Sequence, residues 1–316
     1  MDPKDRIGLI EKSKSIHGNY RAYGGSRELE TLRGDYLKRQ NSLGFVPDIY
    51  PVRAVSILEV FTRGWVTQVA NHSPTFAERA IPAVQNFKPD YSLLLSISGK
   101  SITFGDIVGF AVPVNRLEQI ISIFSTLCGK DIVPLLKTVV DRRETEIHGK
   151  PARPIIAHYD VTAASISALF EIRHVICHEA PSPRALDFTK LGEMLDGAVD
   201  FAKALAEILV FELYGKVPLT QADMNQAAHA EYKIAEDKLM VVLDKLREQY
   251  KEHPRRLKLL NTSQRVWERY IRLQALFRHD PVGGGTIGPT LRASEMESLT
   301  DERRERLEGF VGNKYL

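Results

Sequence analysis

Val161-Thr162-Ala163-Ala164-Ser165-Ile166-Ser167-Ala168-Leu169-Phe170-Glu171-Ile172 runs directly into Arg173-His174-Val175-Ile176-Cys177-His178, then into the break Glu179-Ala180-Pro181-Ser182-Pro183. A mostly apolar run without glycine or proline reads as a packed helix, and the two prolines terminate it. One permanent cation and two imidazoles therefore stand on the last turns of that helix. At about 100° per residue, His174 and His178 share a face as an i, i+4 pair, with Arg173 in reach of both. A helix C-terminus carries partial negative charge, which attracts cations. A guanidinium beside imidazoles, which exchange protons near neutrality, suits chemistry at a phosphate.

Outward from this stretch the pattern stays helical. Between residues 51 and 214 apolar side chains recur at helical spacing, as in Val55-Leu58-Glu59-Thr62 and Leu117-Ile120-Ile121-Phe124-Leu127, and strict alternation is scarce. Leu93-Leu94-Leu95 and Ile102-Thr103-Phe104 are compatible with strands as well as helices. Arg142 to Pro154 reads as a charged loop. Residues 1–50 are polar, with Gly24-Gly25 and Pro47 as breakers and one charged helix over Arg27 to Arg39, which predicts an N-terminal extension. Gly215-Lys216-Val217-Pro218 stops a helix and forms a linker. Beyond it lie helical patterns over Met224 to Glu252 and Leu257 to His279, a turn at Gly283-Gly284-Gly285, and a charged helix over Ser298 to Phe310. The expected organisation is all-α: an extension (1–50), a helical domain (51–214) and a smaller helical domain (215–316).

A chain of 316 residues is long enough for two cores. With 43% hydrophobic and 26% charged residues it has a soluble globular composition. A net charge of +3 neither demands nor excludes nucleic acid. Cys128 and Cys177 cannot build a disulfide framework. The start, MDPKDRIGLIEKSKS, lacks a signal-peptide pattern, and no run of about 18 uncharged apolar residues spans a membrane. A cytoplasmic protein without membrane contact is expected.

Arg173, a polar residue, three further residues and His178 resemble the Arg-x4-6-His signature of HEPN domains, many of which are metal-independent endoribonucleases of toxin and anti-phage systems. Pro51 to Asn71 looks like the early HEPN helix with its acidic residue, here Glu59. Ser101 to Val140 resembles the intervening helices, and Leu186 to Leu213 the helix that follows the motif. The resemblance implies a HEPN-like helical bundle that cleaves RNA by attack of the ribose 2′-hydroxyl. It makes Arg173, His178, His174 and Glu59 the candidate catalytic residues. It also implies a homodimer with a composite active site. Glu59 can pair with Arg173 or an imidazole, or with Arg63 as an i, i+4 partner. His174, Cys177 and His178 lack an evident fourth metal ligand, so no metal and no cofactor are expected, and Cys177 is expected to pack into the bundle.

Leu219-Thr220-Gln221-Ala222-Asp223-Met224-Asn225, Ala230-Glu231-Tyr232-Lys233, Gln264-Arg265-Val266-Trp267-Glu268-Arg269-Tyr270 and Leu299-Thr300-Asp301-Glu302-Arg303 look like the LprI-type lysozyme inhibitor family over residues 219–307. That family carries cysteines where Ala227, Ala275 and a residue near Ser294 stand here. A cysteine-free version fits a reducing compartment and a recognition task other than inhibiting an extracellular lysozyme. Trp267 and Tyr270 are expected in the core of this domain. The partners expected are RNA, a second copy of the chain, and an antitoxin or phage-derived protein. The alternatives are a non-catalytic HEPN-fold interaction protein, or an intracellular inhibitor of a lysozyme-like enzyme.

Overall fold

A computed structural model describes residues 3–17, 21–42, 44–84, 97, 99–179, 187–280 and 285–312. Leu93-Leu94-Leu95, Pro181-Ser182-Pro183 and Gly283-Gly284 lie outside them. The chain is all-α. It divides into two compact units, Met1–Val217 and Pro218–Leu316. Among the described residues no β-strand forms, and the single antiparallel bridge joins Val140 to Pro154.

The first unit holds α1 (Pro3–His17), α2 (Arg21–Arg39), α3 (Ile49–His72), α4 (Pro74–Ala80), α5 (Phe104–Ala111), α6 (Leu117–Cys128), α7 (Val133–Thr138), α8 (Tyr159–His178) and α9 (Leu191–Tyr214). α3 is its axis, and α2, α5, α8 and α9 all pack against it. Phe61, Trp65, Phe124 and Phe201 are fully buried. Each large apolar side chain so placed contributes roughly 1.5–3 kcal/mol over its exposed state.

Several local expectations are corrected by packing. Residues 1–50 supply α1 and α2, and Leu29, Leu32 and Tyr36 of α2 lie in the core. Gly24-Gly25, read as a breaker, sits inside α2. A Cβ on Gly25 would lie 2.7 Å from Phe61 Cβ, so glycine there admits a close helix contact rather than a turn. Gly105 and Gly109 do the same on α5, where added methyls would run into α3 at Asn71, Thr67 and the Arg63 carbonyl. Ile102-Thr103-Phe104 is not a strand. Thr103 caps α5, accepting from Asp106 N while Asp106 Oδ2 accepts from Thr103 N at 2.9 Å. Lys14 adds a 2.7 Å ion pair to the same carboxylate. The charged loop from Arg142 contains a single π-helical turn, Arg143–Ile147.

The second unit is built from α10 (Gln221–Gln249), α11 (Pro254–His279) and α12 (Gly288–Glu308). Thr220 caps α10 by accepting from Asp223 N. Leu239, Val242, Leu243, Leu246 and Leu307 form the core, with Trp267 packed against it. Tyr270 is half exposed, contrary to expectation, because α11 turns only Gln264, Ile271 and Ala275 fully inward. α12 begins ten residues earlier than the charged pattern at Ser298 indicated, with Pro289 in its first turn.

Candidate functional site

The last turns of α8 carry the cation and both imidazoles. α8 buries Ile166, Leu169 and Phe170, and beyond Phe170 its side chains are half-buried or exposed. The helix ends at His178, with Glu179 N donating to Val175 O at 2.9 Å. The i, i+4 spacing brings the His174 and His178 rings to 4.7 Å between centroids, tilted by 42°. Both imidazoles are exposed.

Arg173 points the other way, toward α3. Its guanidinium stands 3.8 Å from Glu59 Oε1, too long for a hydrogen bond, and its buried Nε has no hydrogen-bond partner among the described residues. The carboxylate holds the cation in place without consuming its donors. The terminal N–H groups of Arg173, unlike its buried Nε, can still be spent on an oxyanion such as phosphate. Glu59 makes its ion pair with Arg173 rather than with Arg63, because the α3–α8 contact brings the more distant partner closer. Cys177 is exposed rather than packed, since it lies past the buried part of α8. Among the described residues no group of three or more His, Cys, Asp or Glu side chains is placed to hold a metal ion.

The second unit has a mostly apolar groove of about 750 Å³ between α10 and α12, lined by Asn225, His229, Tyr232, Lys233, Arg292 and Met296, among others. His229 and Tyr232 stack at 6.3 Å and 21°. Burial, and then the adjacent Glu236, raises the Tyr232 phenol above its ordinary range. At one end Gln221 donates to Thr290 Oγ1 at 2.9 Å and Asn225 to the Thr286 carbonyl, tying the helices together. Asn225, Tyr232 and Lys233 stood out in the sequence. His229 and Arg292 did not, although His229 has the i, i+3 and i, i+4 spacing to Tyr232 and Lys233 that signals a shared face.

Residues 217–307 match the model of the family described as Lysozyme inhibitor LprI. The matched stretch is less than a third of the chain and falls almost wholly within the second unit. No curated protein and no solved structure matches the chain. No helix among the described residues is long and apolar enough to cross a membrane.

Proposed function

We propose that the first unit is a metal-independent endoribonuclease acting in the cytoplasm and that the second is a protein-recognition module. The nuclease reading rests on the HEPN-like residues of 51–214. The observation that carries it is Arg173, facing Glu59 without a hydrogen bond, on the same last turns of α8 as two exposed imidazoles.

In this reaction the ribose 2′-oxygen attacks its own phosphorus and the bond from phosphorus to the 5′-oxygen breaks. The products are a 2′,3′-cyclic phosphate and a 5′-hydroxyl end. His178 takes the 2′-hydroxyl proton or supplies the proton to the leaving oxygen, and Arg173 balances charge on the phosphate oxygens. No metal is needed because the nucleophile is already positioned within the substrate. In-line displacement puts the entering and leaving oxygens on opposite sides of phosphorus. The His174 and His178 rings, in near contact on one helix face, serve only one side. The second proton transfer therefore calls for a second chain, and a homodimer with a composite site follows.

The test is RNA cleavage by the full chain in EDTA. His178→Ala and Arg173→Ala are expected to lower the rate by about 10²–10⁴-fold each with the fold retained, as judged by thermal melting. Intact RNA with the wild type, or cleavage by both variants at the wild-type rate, refutes the reading. A second reading is favoured by the match over residues 217–307: the chain is an intracellular inhibitor of a lysozyme-like enzyme. It requires saturable binding of the full chain to a muramidase and loss of that enzyme's activity.

A further inference from the structure

The exposed face of α11 carries an apolar seam. Leu259, Val266, Tyr270, Leu273 and Phe277 are spaced 7, 4, 3 and 4 residues apart and are each 50% to 79% exposed. At about 100° per residue they fall within an arc of about 60°, along about 27 Å of helix. They occupy the two apolar positions of successive heptads, interrupted only at Ser263. The helix's buried side, Gln264, Ile271 and Ala275, lies roughly 150° away. The seam therefore plays no part in the core of the second unit.

Charge singles out the occupant. α11 carries seven Lys and Arg residues against one Glu. Lys258, Arg265, Arg269 and Arg272 line one edge of the seam, and none has a carboxylate within ion-pair distance among the described residues. A second copy would set this cationic edge against itself, which costs energy. Leu276, 52% exposed, lies on that cationic edge rather than in the seam, and the seam's heptad spacing is what a helix–helix contact requires and a flat membrane surface does not. We propose that the exposed face of α11 docks an amphipathic helix of a partner protein whose apolar stripe is flanked by Asp and Glu. This deepens the recognition role proposed for the second unit and is independent of the nuclease reading.

The experiment uses the full chain and two designed peptides of about four heptads, each with Leu at both seam positions, one flanked by Glu and the other by Lys. The Glu peptide is expected to bind saturably and at least about tenfold more tightly than the Lys peptide, and to weaken as salt rises. Leu273→Ser with Phe277→Ser removes two exposed side chains. It is expected to lower that affinity at least about tenfold while the melting temperature stays unchanged. Four outcomes overturn the proposal. The two peptides bind alike; neither binds at about 100 µM; the wild type is a dimer that the double variant dissolves; or anionic phosphatidylglycerol vesicles bind the seam in preference to the Glu peptide. A double variant that loses the Glu peptide yet keeps full muramidase binding would assign any inhibitor role to another surface of the chain, so the seam and the inhibitor reading are decided separately.

Discussion

Gly109→Ala tests the packing that supports the candidate site. α5 approaches α3 through Gly105 and Gly109, one helical turn apart on the same face. A Cβ on Gly109 would lie 2.8 Å from the Arg63 carbonyl oxygen and closer still to Thr67 Oγ1. The carbonyl belongs to α3 and cannot rotate aside, so one helix must move by a few tenths of an ångström. Overpacking of this kind costs about 1–3 kcal/mol, and alanine returns up to about 1 kcal/mol through helix propensity. A net loss of about 1–2 kcal/mol is expected, or a fall of about 0.5–1 M in the urea midpoint for the usual slopes. The two tryptophans report on separate units, so Trp65 fluorescence in a Trp267→Phe background isolates the first. The variant should also disturb Glu59, one turn from Arg63 on α3. An unchanged or raised urea midpoint for Gly109→Ala would refute the close-contact argument.

Asp106→Asn removes the charge that joins the α5 capping box to Lys14, and is expected to destabilise the first unit by about 1–3 kcal/mol in urea titration. Burial pushes the Cys128 thiol up to about 11, while Cys177 is exposed. Iodoacetamide at pH 8 should therefore label one site on the native chain, two in urea, and none on native Cys177→Ser. Burial, and then Asp141, raises the Glu207 carboxyl above the ordinary glutamate range. The folded state keeps that proton to higher pH than the unfolded chain does, so ionised Glu207 weakens the fold at neutral pH. That penalty shrinks as pH falls below the raised value and is gone below the ordinary glutamate value of the unfolded chain. Glu207→Gln is thus expected to raise the melting temperature at pH 7, with the gain vanishing toward pH 4; a gain of equal size at both pH values would count against it.

Much of the architecture was legible along the chain because its signals are local. Thr220 with Asp223, and Gly215 at the end of α9, mark helix ends through hydrogen bonds and backbone preferences confined to a few residues. The i, i+4 histidines had to meet once α8 formed, whatever packed beside it. Gly24-Gly25 misled because a glycine that breaks a helix and one that admits a neighbouring helix have the same local sequence. Only Phe61, 36 residues after Gly25, distinguishes them. Cys177 and Tyr270 were placed inside for a related reason. Apolar spacing shows that a face exists but not how far along the helix its neighbour extends.

By itself, then, the sequence determined the helices, the division near Gly215, the match of the second unit to a known family, and the chemistry gathered at residues 173–178. Those features depend on side-chain identity and on contacts within one or two turns. The tertiary structure alone decided that Glu59 rather than solvent faces Arg173, that the guanidinium keeps its terminal donors, and that α11 leaves a cationic apolar seam uncovered. Each of these depends on which surfaces distant segments bury against one another, and that information is spread over the whole core.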